Sequence, residues 1–205
     1  MKLQLVRHAQ STANVARTLN TKMPGPPLTE LGRQQADALA DQLAGVTIAG
    51  VYCSVATRAM ETATPLATRH GLDPLVVDGL QEVFVGDLED RGDTDAITAF
   101  ANVFHPWTLG QLDLAMPGGE SGRAVADRFL GAIAQIRAKH EHDAADDTVI
   151  VVSHGAVMRL CAELLADNVP PNLADAGLIP NTGAIVLEAT DGGGWHCHAW
   201  AGVEM

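Results

Sequence analysis

The sequence predicts an α/β fold, a three-layer sandwich in which helices flank a mostly parallel central sheet. Three observations carry that prediction. Apolar, β-branched runs alternate with amphipathic stretches, the pattern of helices packed on a parallel sheet. Two of those runs, "LQLVRH" and "VIVVSH", lead apolar residues up to a histidine and then turn. The chain has 205 residues, 47% of them hydrophobic. That is enough for one sizeable core and too little for two, so residues 1–205 read as a single domain.

Each element follows from its residues. Leu3 to Val6 is the first strand. After the polar loop "TKMPGPP", Thr29 caps a helix on which Leu31, Leu39 and Leu43 are expected to share the buried face. "GVYCS" at 50–54 is the second strand, and "ATRAMETATPLATRHG" the helix after it, which Pro65 is expected to kink or shorten. Val125, Phe129, Ala132, Ile133 and Ile136 mark one face of a long helix. "TVIVVSH" from Thr148 is a continuous β-branched run of the kind buried at a sheet centre. Gly155 opens a further helix with Val157, Leu160, Cys161, Leu164 and Leu165 on its apolar side, and two strands, "AIVLEA" and "WHCHAW", close the chain.

Composition excludes whole classes of function. Thirteen Lys and Arg against 25 Asp and Glu give a net charge of −12, which repels a phosphate backbone, so nucleic acid is not an expected partner. No window approaches a membrane span, and "MKLQLVRH" lacks the apolar core of a signal peptide. Cys53, Cys161 and Cys197 have no C-x-x-C spacing. That points away from disulfides and thiolate metal sites and toward a reducing cytoplasm.

In open α/β sheets ligands sit beyond the carboxyl ends of strands, which brings His8 and His154 to one crevice. Arg7 beside His8 is tolerable where an anion sits between them. Arg58, at the start of the helix after "GVYCS", supplies a guanidinium that can fork two phosphate oxygens. His196 and His198 alternate around Cys197, a spacing that puts two imidazoles on one strand face, but no third ligand is near in sequence. An ordinary edge strand with no metal is the expectation there.

These stretches carry a resemblance to the histidine phosphatase superfamily, on its phosphoglycerate mutase-like branch. "LVRHAQSTAN" resembles the R-H-G signature, "PLTELGRQQA" the segment after it, and "SVATRAMETA" the arginine-bearing segment. "EVFVGDLED" resembles the acid-bearing segment, "PGGESGRAVADRF" the lead into the long helix, and "VVSHGAVMRL" the second-histidine motif. The blocks keep family order from residue 3 to about 160. The resemblance implies a phosphoglycerate mutase-like fold, with His8 as the nucleophile that forms a phosphohistidine. It implies Arg7, Arg58 and His154 as the pocket around the transferred phosphoryl group and Glu82 as general acid and base. Asn14 and Gly155 are implied as further substrate-binding positions, and no metal or cofactor is needed. Asp87, Glu89 and Asp90 are rival carboxylates near Glu82. Three positions depart from the pattern: Ala9 stands for the motif glycine, Arg17 comes one residue early, and Gly25 replaces an acidic residue.

The branch includes simple phosphatases and bisphosphoglycerate-dependent mutases. A mutase needs extra cations at the mouth for a second anion. Yet the segment 84–118, read as a lid, holds Asp87, Glu89, Asp90, Asp93, Asp95 and Asp113 against Arg91 alone. That points to a metal-independent phosphatase acting on a small phosphorylated metabolite, with a homodimer as the candidate assembly. The alternatives are a mutase and a family member that binds phospho-ligands without turnover. Phe84, Phe100, Phe104, Trp107 and Met116 of the lid are candidate walls for an apolar or sugar leaving group.

Overall fold

The computed structural model describes residues 1–140, 142, 144, 147–170 and 173–205. Its sheet has the order β3-β2-β4-β1-β5-β6-β7. β1 (Lys2–Arg7), β2 (Ile48–Cys53), β3 (Leu75–Val76) and β4 (Thr148–Ser153) run parallel. β5 (Ala184–Ala189), β6 (Trp195–Trp200) and β7 (Val203–Glu204) continue the sheet antiparallel from β1. The expected architecture is thus present, with a parallel block at one side and an antiparallel one at the other.

Side-chain alternation builds the layers. Leu3 and Leu5 of β1 and Val149 and Val151 of β4 point into one core, where α5 (Gly122–Lys139) and α6 (Gly155–Leu165) pack. Val6, Ile150 and Val152 point to the other face, against α2 (Glu30–Gln42) and α3 (Thr57–Arg69). A strand covered on both faces has no polar side, which is why "TVIVVS" reads as a continuous apolar run. All six residues of β4 are buried.

The pairing of β1 with β4 positions the site. Arg7 lies opposite Ser153 in the register, so the residues that follow, His8 and His154, leave the sheet side by side. Neither run alone shows this, because the sequence fixes strand ends but not strand order.

Several expectations need correction. Thr29 does cap α2, its hydroxyl accepting from Gly32 N at 2.9 Å, but the buried face is Gly32, Ala36, Leu39 and Ala40, while Leu31 is 49% exposed. Small residues let α2 approach the neighbouring backbone: a Cβ at Gly32 would stand 2.0 Å from the Gln10 carbonyl oxygen. Leu164 likewise faces out. α3 spans Thr57–Arg69 with Pro65 inside it, so the proline does not shorten the helix. The carboxyl-terminal part holds three strands in place of two, and α1 (Thr12–Ala16) and α4 (Thr94–Thr108) were not anticipated.

Candidate active site

His8 follows β1 directly, is 4% exposed, and donates its backbone N–H to Ser153 O at 2.9 Å. Its Nδ1 lies 2.7 Å from Ala9 O, and its Nε2 accepts from Arg58 Nε at 3.1 Å. Together these fix the tautomer: the proton sits on Nδ1 and the lone pair on Nε2. Burial, then Arg58 and Arg7, push the imidazole pKa down to about 3, against a smaller upward pull from Ala9 O. The ring is therefore neutral and its Nε2 is available as a nucleophile.

Arg58 enters on the first turn of α3 and is 3% exposed. Besides His8, it donates from Nη2 to Asn20 O at 3.4 Å, while its buried Nη1 has no acceptor among the described residues. Arg7 donates from Nη1 to Ile179 O at 2.5 Å and leaves Nε buried and unpaired. Burial lowers the pKa of both guanidiniums and the Glu82 carboxylate opposes it. His154 is completely buried behind His8, ring centroids 5.2 Å apart, with Nε2 2.7 Å from Ser54 Oγ and Nδ1 unpaired. Burial first, then Arg58 and His8, push its pKa well below the ordinary histidine value.

Glu82 sits at the amino terminus of α6. Its Oε2 accepts from Ala156 N at 3.0 Å and its Oε1 from Val157 N at 2.9 Å, where a helix favours negative charge. Its loop is clamped from α5. Arg128 forks Glu120 at 2.7 and 2.8 Å and donates to the carbonyls of Gly79, Gln81 and Glu82.

One cavity collects these groups: Arg7, His8, Asn14, Arg58, Glu82 and Gly155 all line it. His154 supports it from behind. Asn14 commits its oxygen to Ser11 N and Asn181 Nδ2, both at 3.1 Å, which leaves its amide nitrogen for a ligand. The rivals of Glu82 are engaged elsewhere. Glu89 accepts from the Thr21 amide at 3.0 and 3.1 Å and pairs with its hydroxyl, and Asp90 accepts from Asn20 Nδ2 at 2.6 Å. Asp87 packs by Gly118. None of the three lines the cavity.

The departures from the motif have structural answers. Ala9 is not among the residues with positive φ, so its Cβ costs nothing there, and it packs with Leu28 and Ala36. Arg17 ends α1 in the left-handed conformation, outside the cavity. Gly25, at φ +71°, leaves room for Arg58: a Cβ would stand 2.5 Å from Nη1. Of the proposed aromatic walls only Phe100 reaches this cavity. Phe104, Trp107 and Met116 fill the core, and Phe84 lines a neighbouring groove. β7 pairs only with Ala199 and Trp200 of β6, and alternation along β6 puts His196 and His198 on its exposed face, with His198 on Glu188 at 2.6 Å. Among the described residues no three metal-ligating side chains cluster.

Sequence reasoning missed Ser54, Asn20, Asn181 and Arg159. Asn181 ties the site together by donating to His8 O at 2.9 Å. Arg159 lines the cavity from one turn into α6, and its position four residues after Gly155 was the available signal.

Comparison with known proteins agrees with this geometry. The sequence profile described as the histidine phosphatase superfamily (branch 1) matches residues 3–202. A PE-PGRS family protein of Mycobacterium tuberculosis is 33% identical over 99% of this chain, which spans only 37% of that longer protein. The metal-independent phosphoserine phosphatase of Arabidopsis thaliana is 34% identical over 77% of this chain and 66% of its own length. The solved structure of a mycobacterial glucosyl-3-phosphoglycerate phosphatase complexed with VO3 superposes with a TM-score of 0.82 at 27% identity, covering 98% of each chain. With the profile match running almost end to end, the chain belongs to branch 1 of the histidine phosphatase superfamily.

Proposed function

We propose that this phosphoric monoester hydrolase removes phosphate from a small phosphorylated metabolite without a metal, through a phosphohistidine on His8. The observation that carries the reading is a convergence of unsatisfied nitrogens. Arg7 Nε, Arg58 Nη1 and His154 Nδ1 are all buried and unpaired beside a histidine whose Nε2 holds a lone pair. Leaving such a group without a partner costs about 1–3 kcal/mol, more when it is charged. Phosphoryl oxygens in the cavity are the partners that the two arginine nitrogens, both on residues of its lining, lack, with His154 in the layer behind them.

The steps follow from the groups present. The phosphoryl group displaces the Arg58 hydrogen bond from Nε2, and His8 attacks phosphorus in line with the ester oxygen. The P–O bond breaks while Glu82 donates a proton to the departing oxygen, giving the free alcohol. Positive charge that develops on the imidazole is met by Ala9 O at Nδ1. The carboxylate left on Glu82 is met by the amides of Ala156 and Val157. Water then attacks the phosphorus, Glu82 takes its proton, the P–Nε2 bond breaks, and inorganic phosphate leaves with His8 neutral again.

Phosphatase names among the relatives, one of them metal-independent, favour hydrolysis over mutase chemistry. The carboxylates of segment 84–118 do not line the cavity, so they neither favour nor disfavour a second anion there. The three cysteines are free and buried, which supports the cytoplasm as compartment. Among the described residues no helix is long and apolar enough to cross a membrane.

The test is to quench a reaction on radiolabelled phosphomonoester and look for label on the protein. An acid-labile, base-stable phosphoenzyme that forms in the presence of EDTA and is missing in His8→Ala is the expected result. Label on another residue, or activity lost to EDTA and restored by a divalent ion, would overturn the reading.

A further inference from the structure

Arg58 touches His8, yet its acceptors among the described residues are His8 Nε2 and Asn20 O, and neither is a carboxylate. The carbonyl belongs to a peptide group that is held from both sides. Asn20 O accepts from Arg58 Nη2 at 3.4 Å, and the amide of that same peptide, Thr21 N–H, donates to Glu89 Oε1 and Oε2 at 3.0 and 3.1 Å. The C=O and N–H of a trans peptide point in opposite directions, so one rigid plane carries Arg58 on one edge and a carboxylate on the other. The Thr21 hydroxyl also pairs with Glu89 and accepts from Val85 N at 3.2 Å. Beside it Asp90 N donates to Leu19 O at 2.7 Å, Leu19 N to Arg91 O at 2.8 Å and Asn20 Nδ2 to Asp90 Oδ1 at 2.6 Å. Residues 19–21 are thus strapped to 85–91 and line the catalytic cavity, whereas Glu89 itself does not reach it.

We propose that Glu89 is a positioning residue that acts on Arg58 through the Asn20–Thr21 peptide, fixing the carbonyl that aims the guanidinium and placing a counter-charge one peptide away from it. This rests on the reading of Arg58 as a phosphoryl ligand, and adds to it a residue that touches neither the substrate nor the reacting atoms. The separation is what makes the arrangement useful. A carboxylate in direct contact would fork two guanidinium N–H groups, compete with phosphoryl oxygens for them and repel the dianion. Removed by one peptide, Glu89 leaves Arg58 Nη1 without an acceptor, and its charge polarises the amide so that Asn20 O accepts more strongly. Burial lowers the Arg58 pKa, and the charges of Glu82 and then Glu89 oppose it. In the first chemical step Glu82 carries a proton. Glu89 is then the carboxylate left to balance the buried guanidinium.

The test is calorimetric titration with inorganic phosphate, at a pH where it is a dianion, on a double-mutant cycle of Glu89→Gln and Arg58→Met. Glutamine keeps the length of the side chain and an oxygen for Thr21 N–H but removes the charge. Glu89→Gln is expected to weaken phosphate binding by about 3- to 100-fold, the span of coupling within one hydrogen-bonded network. Glu89→Asp, which keeps the charge, loses less. In the Arg58→Met background Glu89→Gln leaves the dissociation constant within about twofold. The sign is diagnostic, because a carboxylate acting on the anion only through space would tighten binding when its charge is removed. A dissociation constant does not depend on the folded fraction, which appears in the stoichiometry instead. Unchanged or tighter binding in Glu89→Gln, an equal loss with and without Arg58, or a wild type that binds no phosphate would overturn the proposal. The cycle needs no turnover, so it is independent of phosphoenzyme labelling. Coupling without a phosphoenzyme sinks the hydrolase reading and keeps the role of Glu89, and a phosphoenzyme without coupling sinks the role of Glu89 alone.

Discussion

Arg58 Nε donates to His8 Nε2 at 3.1 Å, so a cation covers the lone pair that attacks phosphorus in the proposed reaction. The contact holds the imidazole in its neutral, Nδ1-protonated form. In that reaction an incoming phosphate replaces the imidazole as the partner of Arg58 and frees the nucleophile in the same movement. Arg58 thus acts on both the anion and the nitrogen that attacks it.

Arg58→Met removes that partner and one of the charges that depress the His8 pKa. The His8 pKa is expected to rise from about 3, read from imidazole 15N shifts. kcat/KM for any phosphomonoester falls on the order of 10²- to 10³-fold, since two charge-assisted contacts are lost. An unchanged titration would mean that burial alone sets the His8 pKa.

The depressed pKa has a consequence for stability. His8 takes up a proton near pH 3 when folded and near its ordinary value of 6.5 when unfolded. Between those values the unfolded chain binds more protons, so stability is fully present above pH 6.5 and is lost as pH falls toward 3. Each pH unit well inside that window costs about 1.4 kcal/mol. His154, also held neutral by burial, acts with the same sign. Urea unfolding at pH 7 and pH 5 should therefore show a larger loss for wild type than for His8→Asn, by about 2 kcal/mol. Parallel losses would show that His8 titrates normally in the folded protein.

Gly25→Ala tests the packing around Arg58. The substitution puts a Cβ 2.5 Å from Arg58 Nη1 and imposes φ +71° on an L-residue, a backbone strain of about 1–2 kcal/mol. The guanidinium has to move, so kcat/KM is expected to drop more than tenfold through a raised KM. Gly131→Ala, in α5 with nothing within 4 Å of the new Cβ, is the matched control and should stabilise by about 0.5–1 kcal/mol. Equal kinetics for both variants would show that Arg58 tolerates the crowding.

Much of the site was legible because two β-branched runs end on histidine, and strand ends are where an α/β sheet exposes chemistry. Arg58 was readable for the same reason, one turn past a strand. Arg159 was not. α6 is buried almost all round from Ala156 to Ala162, so an apolar-stripe reading assigns its arginine to solvent, whereas the cavity gives that charge a place inside. α4 was missed although Phe100, Phe104 and Trp107 recur at helical spacing, because the whole segment 84–118 was read as a lid. Leu31 misled in the opposite sense: leucine attracts a burial assignment, but here glycine and alanine form the contact face. Glu82 has no local signal at all. Its place depends on the Arg128–Glu120 clamp and the start of α6, both distant in sequence.

The role of Glu82 is tested by the leaving group. An acid that protonates the departing oxygen matters in proportion to how poorly that oxygen leaves: an alkoxide needs the proton, whereas p-nitrophenolate departs without it. Glu82→Gln is expected to slow phosphoenzyme formation from an alkyl phosphate by about 10²- to 10⁴-fold, and from p-nitrophenyl phosphate far less. Glutamine keeps an oxygen for one of the two α6 amides, so loop geometry is perturbed less than by alanine. In the proposed reaction both esters pass through the same phosphohistidine, so an effect on its hydrolysis is common to them. Single-turnover release of the leaving group isolates the first step. The quantity to compare is the wild-type to variant rate ratio for the two esters. Equal ratios would mean that Glu82 acts through its charge or by holding the start of α6. Since Glu89 is spent on Thr21 and Asp90 on Asn20, the proton would then have to come from solvent.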